Sequence, residues 1–301
     1  MTSAPEGAGG TGPGTALSAD EALSLAKRHG LKRLGGRPPF GEYVRDLWRR
    51  RGFLWTLARA EAEQKNAQDR LGLLWTLLNP LLLVVSYFLI FGLLLKTREG
   101  VGNFIGFLSI GVVVFGFSAA AITRGSRAVI GNLNLVRALR FPRAVLPLSV
   151  TLTEGLMTLP AAAVLIFVML VTGERPDWEW LLLPVALLLQ TAIVAGLVFM
   201  GARLLNVSRD LGNLIPVVIR LMRYVSGVFF SIAHQVPNHV WIQQSLAKQP
   251  LALPITLVRE SLMNEYAVDG KSWGIAAIWA VVLFFSGLWL FWRDEAKYGR
   301  G

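Results

Sequence analysis

The chain has 301 residues, of which 53% are hydrophobic and only 16% charged, with a mean hydropathy of +0.51 and a formal charge of +11. A soluble domain carries about a quarter charged residues, so a water-soluble enzyme is excluded; the absence of cysteine also excludes disulfides, thiolate metal sites and a cysteine nucleophile. The excess positive charge points to nucleic acid only if the basic residues are not gathered on one side of a bilayer.

Residues 1–15 are dominated by Gly, Pro, Ala, Ser and Thr, a composition that cannot bury enough apolar area to order itself. Residues 18–34 predict a short amphipathic helix with Ser18 as N-cap and Glu21 completing a capping box. No apolar core of signal-peptide length occurs here, so the N-terminus is expected to stay in the cytoplasm. Residues 1–39 are thus expected to be a disordered or weakly helical region. From Phe40 to Arg70 the pattern changes. Tyr43, Val44, Leu47, Trp48, Phe53, Leu54, Trp55 and Leu57 alternate with Arg45, Arg49, Arg50, Arg51 and Arg59, which describes an amphipathic helix in the membrane interface or one packed on a partner.

Residues 71–301 read as a six-span membrane domain. The apolar stretches 71–95, 104–123, 144–172, 181–202, 214–232 and 273–292 are each close to the ~20 residues that cross ~30 Å of hydrocarbon. In lipid they must be helices, because every backbone polar group has to be satisfied internally. The fold class is therefore an all-α integral membrane protein. The basic residues are strongly asymmetric: 22 of the 30 Lys and Arg lie in 1–70, 124–143, 203–213 and from Arg293 onward, against six in 96–103, 173–180 and 233–272. This places both termini in the cytoplasm and accounts for the charge with no nucleic acid.

The inside segment 124–143, RGSRAVIGNLNLVRALRFPR, carries five arginines and no acid. Val129, Ile130, Leu133, Leu135, Val136 and Leu139 give it an apolar face ending at Pro142, suited to lipid head groups or to a cytoplasmic partner. Three ionisable residues stand inside spans, where each is expensive: Glu154, Arg220 and Arg223. Counted along their helices, Glu154 and Arg223 reach equal depth, which predicts an ion pair that staples spans three and five or lines a hydrated path. Aromatics gather in span one (Tyr87, Phe88, Phe91) and span five (Tyr224, Phe229, Phe230), as interface anchors or as a lining on which the apolar faces of sugar rings stack. The outer segment 233–272 is rich in leucine and divided by Pro250 and Pro254, which predicts two amphipathic or re-entrant helices.

Sites for other chemistry are weak. His234 and His239 have no carboxylate cluster at metal-ligand spacing. Gly270-Lys271-Ser272 resembles the end of a P-loop, but Glu265 stands where its first glycine is required. No cofactor is expected on this chain, and ATP for any energy-requiring work must be handled by another.

Three stretches carry a resemblance. Leu71–Gly92 reads LGLLWTLLNPLLLVVSYFLIFG, Asn132–Leu148 reads NLNLVRALRFPRAVLPL, and Ser226–Ser231 reads SGVFFS, followed by Pro237 and Pro250. Together they resemble the membrane subunits of type-2 ABC exporters, in the polysaccharide and teichoic-acid branch. Departures from that pattern are the acid-containing AEAEQKNAQDR at 60–70, Gly227 and Phe230 within the third stretch, and Gln249 before Pro250. The resemblance implies six spans, an interface helix, re-entrant outer helices between spans five and six, a homodimer, and two copies of a separate ATPase that binds ATP and Mg. It assigns ATPase coupling to Asn134, Arg137, Phe141, Pro142 and Arg143. The substrate path would use Tyr87, Phe88, Phe91, Arg220, Arg223, Tyr224, Phe229 and Phe230. Arg49, Arg50 and Arg51 would meet the phosphates of a lipid-linked glycan. Two other readings remain: export of a drug or small lipid by the same architecture, and an integral-membrane lipid-modifying enzyme, for which no acid or base set shows catalytic spacing.

Overall fold

A computed structural model describes residues 24, 25, 28, 38–68, 73–94, 101–139, 141–208, 210–232, 240–295 and 298. The chain divides into two units, 1–37 and 38–301. In the first, Ser24, Leu25 and Arg28 are helical, and the rest of the expected 18–34 helix lies outside the described residues, as do His234, Pro237 and His239 of the outer segment.

Within the second unit the described residues contain helices and turns and no strand. The expected interface helix is two helices, α1 (Phe40–Arg49) and α2 (Arg51–Gln68), broken at Arg50. Helix α3 (Leu73–Tyr87) contains Pro80 and continues as a wider π-helical stretch, Phe88–Leu94. Helix α4 (Phe104–Gly125) is followed by two short helices, α5 (Ala128–Gly131) and α6 (Leu133–Ala138), and then by α7 (Val145–Val171). A 3-10 turn at Trp178–Leu182 leads into α8 (Leu183–Val207). Helices α9 (Leu211–Val225), α10 (Val240–Ala247), α11 (Leu253–Leu262) and α12 (Gly270–Arg293) complete the unit.

Four helical segments are long and apolar enough to cross a membrane, Phe104–Gly125, Val145–Val171, Trp178–Val207 and Gly270–Arg293, and they coincide with predicted spans two, three, four and six. Span one corresponds to the apolar helix ending at Leu94. Span five is shorter than predicted. Its helix stops at Val225, because Gly227 takes a left-handed conformation (φ +69) that ends the helix and folds Val228 and Phe229 into the core.

Helix α4 is the centre of the bundle and is buried over most of its length, whereas α7, α8 and α12 keep apolar side chains such as Phe167, Leu188 and Phe285 outward. An outward apolar face is what a helix needs against lipid. Helix α12 packs along α8 through two facing glycines: a Cβ on Gly196 would fall 2.3 Å from the carbonyl carbon of Leu283, and one on Gly287 would fall 2.4 Å from the carbonyl oxygen of Gly196. Small residues let backbones approach in this way where no hydrophobic force draws helices together. Between α8 and α4, Gln190 donates to the carbonyl of Val114 (2.7 Å) and the hydroxyl of Ser118 (2.9 Å). Helix α11 does not lie as a half-exposed amphipathic element. All its residues except Thr256 are buried, and it packs against α8 and α4.

Candidate functional site

Among the described residues, polar and aromatic side chains gather at a basic end around the 124–143 segment, at an aromatic seam where the end of α3 and its π-helical stretch meet the turn after α9, and around α11.

At the basic end the apolar faces of α5 and α6 turn inward. Ala128, Val136 and Leu146 form a buried cluster joined by Leu57, Leu135 and Phe141, while Val129 joins Tyr43, Ala144 and Phe291 in a second one. This inward packing decides which of the predicted coupling residues face outward. Asn134 and Arg137 are exposed, beside Leu139, which is 51% exposed. Phe141 packs edge-on against Phe53 with centroids 5.7 Å apart, and Pro142 is buried. The Arg143 N–H donates to Glu295 Oε1 (2.9 Å), and its guanidinium reaches the Glu295 carbonyl. The FPR turn is therefore an internal anchor, while Asn134, Arg137 and Leu139 stand on the outward surface.

Glu295 is the hub of that anchor. Its Oε2 accepts from the Tyr43 hydroxyl (2.6 Å), and the same hydroxyl accepts from the Ala144 N–H (3.1 Å). Burial pushes the Glu295 carboxyl up, against the opposing pull of the Arg143 and Tyr43 hydrogen bonds. Burial also raises the Tyr43 phenol, and the Glu295 charge adds to it. Beside this hub, Arg203 pairs with Asp294 at 2.7 Å.

The structure does not pair Glu154 with Arg223. Glu154 Oε1 instead takes Lys65 of α2 and Arg124 of α4, the latter at 3.0 Å. The reason is that α2 packs on α7, so an ammonium arrives from outside the predicted spans. Thr153 shares its hydroxyl between the Ala58 carbonyl and Glu61, whose carboxyl burial pushes up. Arg223 Nη1 donates to the Tyr87 hydroxyl (3.1 Å), and its guanidinium lies 5.5 Å from the centre of the Phe115 ring. Arg220 is exposed on α9 between Val217 and Tyr224, both also exposed.

The aromatic residues of spans one and five do converge. Phe229 is fully buried and stacks on Phe91 (4.5 Å, 9°), with Tyr87 at 4.7 Å and Tyr224 at 5.4 Å. Phe88 meets Phe104 instead, at 6.4 Å, and Phe230 is partly buried against the same core. Tyr224 keeps 52% of its surface exposed, so the cluster is a closed, packed seam with one aromatic edge outside. Arg49, Arg50 and Arg51 sit at the break between α1 and α2. Arg50 pairs with Asp46 of α1 at 3.7 Å, and Arg51 lies over the Trp48 ring. Trp48 is 70% exposed, and an exposed tryptophan among arginines fits the membrane interface.

Sequence reasoning missed Arg259. It is fully enclosed in α11, its Nη2 donates to the carbonyls of Gly227 (2.9 Å) and Phe107 (3.2 Å), and its guanidinium lies 3.3 Å from the Phe107 ring centre. The cation thus caps the chain where α9 ends, and Gln249 adds a bond to the Val225 carbonyl (3.1 Å). The available signal was an arginine inside the apolar run LPITLVRESL. Its neighbour Glu260 accepts from the Trp273 indole (2.9 Å) and the Asp269 N–H (3.2 Å), and burial pushes its carboxyl up to about 7. The GKS tripeptide is the first turn of α12, capped by Asp269, which accepts from the N–H groups of Lys271 and Ser272.

Residues 53–263 match the family described as ABC-2 type transporter. Among curated proteins, the chain is similar to the O-antigen export system permease protein RfbA of Myxococcus xanthus, 25% identical over 82% of this chain and 94% of that one. It is also similar to the protein of the same name from Klebsiella pneumoniae (29%, covering 75% and 85%) and to the polysialic acid transport protein KpsM of Escherichia coli (27%, covering 78% and 91%).

Proposed function

The chain belongs to the ABC-2 type transporter family, and from that premise we propose that it is the membrane subunit of an ATP-driven exporter of a lipid-linked cell-surface polysaccharide. Its relatives are named for O-antigen export and polysialic acid transport, and they align with it over most of their own length. The observation that carries the reading is the α3–α9 seam. Tyr87, Phe91, Tyr224 and Phe229 form one aromatic cluster with Arg223 at its edge, and moving the end of α3 and its π-helical stretch away from the turn after α9 would bare ring faces suited to sugar C–H faces.

In this reading the seam is the closed state of the path, and Arg220, exposed on α9, faces the same side. The basic end lies in the cytoplasm, as do both termini. A separate ATPase subunit, in two copies, binds ATP and Mg and docks on the outward face of Asn134, Arg137 and Leu139, and the membrane subunit works as a homodimer. Arg49, Arg50 and Arg51 meet the diphosphate of a polyprenyl-linked polymer in the head-group region, where guanidinium forks suit phosphate oxygens. The polymer is of the teichoic-acid or O-antigen type.

The test is reconstitution with the cognate ATPase in lipid vesicles loaded with a polyprenyl-diphosphate-linked glycan. ATP-dependent appearance of the glycan on the far side is the expected result. Transport that ignores ATP, or ATP-driven movement of small amphiphiles with no glycan transport, would overturn it.

A further inference from the structure

The 124–143 segment is held at both ends by a carboxylate, and each carboxylate also holds one of the N-terminal helices. At the first end, Arg124 in the last turn of α4 reaches Glu154 Oε1 at 3.0 Å, and Lys65 of α2 binds the same oxygen. At the second end, Arg143 binds Glu295 through its N–H and its guanidinium, and Tyr43 of α1 donates to the same carboxylate at 2.6 Å. The two carboxylates belong to neither partner: Glu154 lies in the third turn of α7, and Glu295 follows α12. The Glu154 side chain is 7% exposed, so its charge depends on these two cations for compensation.

Between the two ends the links are apolar. Leu57 of α2 packs with Val136 and Leu146, Phe53 meets Phe141, and Val44 and Leu47 of α1 lie against Val129 and its neighbours. The far side of the segment, where Asn134, Arg137 and Leu139 are exposed, is open.

We propose that Glu154 and Glu295 are positioning residues that lock α1 and α2 to the two ends of the 124–143 segment, so that the helices and the segment move as one body. Taken with the export reading, on which this rests, the body is a lever. A push on the open face of the segment is delivered to the α1–α2 break, where Arg49, Arg50 and Arg51 stand. The interface helices are then driven by the ATPase and do not float on lipid.

The test uses the full chain in lipid nanodiscs, read by amide hydrogen exchange, and needs no ATPase. Glu154→Gln should raise exchange together in 58–66 and 124–131, by at least tenfold in each. Glu295→Gln should do the same in 40–47 and 141–148. If either variant fails to fold, Lys65→Met and Tyr43→Phe probe the same ends from the helix side and should loosen the opposite partner as well. A rise confined to one partner, or none, would overturn the proposal. In the complex with its ATPase, both Gln variants should keep ATP hydrolysis within twofold of the parent and lose at least fivefold in glycan moved per ATP. An unchanged ratio would also overturn the lever. A parent complex that moves no glycan would sink the export reading, while the exchange result would still decide whether the body is rigid.

Discussion

Replacing Arg259 with methionine isolates the contribution of the buried cation, because methionine keeps most of the apolar stem. The guanidinium makes two good bonds, to Gly227 O at 2.9 Å and Phe107 O at 3.2 Å. Bonds from a charged donor are worth about 1.5–3 kcal/mol each, and a desolvated cation over a ring adds about 2 kcal/mol. Against this, methionine removes the several kcal/mol that it costs to hold a cation out of water. The balance is a loss of about 2–4 kcal/mol, or roughly 3–6 °C in Tm for a chain of this size. The damage should be local, since the bonded carbonyl of Gly227 lies in the left-handed turn after α9. Hydrogen exchange should therefore rise first in 226–232, before the ends of α7 or α12. Arg259→Lys should fall between the parent and Arg259→Met, because an ammonium keeps the charge and loses the flat stack on Phe107. An Arg259→Met protein with parental Tm and unchanged exchange in 226–232 would refute the idea that this cation holds the C-terminal end of α9 to α11.

Three further outcomes follow from named contacts. Because burial raises the Glu260 carboxyl from its ordinary value of 4.5 to about 7, the folded state binds the proton more tightly than the unfolded one, and the stability it contributes is lost as pH rises through that window. Glu260→Gln keeps an acceptor for Trp273 and Asp269, so its Tm should vary less between pH 5 and pH 8 than that of the parent, read by thermal unfolding in detergent. Gly196→Leu places side-chain atoms where Leu283 backbone already stands and should cost more than about 3 kcal/mol, seen as aggregation on size-exclusion chromatography. Leu139→Glu, on the open face of the 124–143 segment, should leave stability within about 0.5 kcal/mol of the parent while weakening ATPase binding in a pull-down at least tenfold.

Much of the architecture was legible because hydrophobic run length and charge asymmetry are properties of the sequence itself. Spans two, three and six were placed to within three residues of their helices, 104–125, 145–171 and 270–293. The aromatic residues of spans one and five also met in part: Tyr87 and Phe91 contact Phe229, whereas Phe88 turns to Phe104. What failed was an argument from depth. Glu154 and Arg223 were matched by counting along two spans, and the count could not know that α2 lies against α7 and brings Lys65 to the carboxylate first. Span five was overextended because Val228, Phe229 and Phe230 are as apolar as a helix interior, and the left-handed turn at Gly227 outweighs them. The burial of Arg259 and Glu295 was not legible for one shared reason. In sequence they are charges in an outer segment and in a tail, and only tertiary packing buries them.

The most direct measurement is vectorial transport by the purified subunit together with its ATPase in sealed vesicles, with polyprenyl-diphosphate-linked polymer supplied on the ATP side. The account predicts that polymer becomes accessible to a glycosidase on the opposite side only when ATP is hydrolysed, and that Tyr224→Ala with Phe229→Ala slows this more than it slows hydrolysis. Polymer that never crosses while ATP is consumed, or that crosses equally without nucleotide, would contradict it.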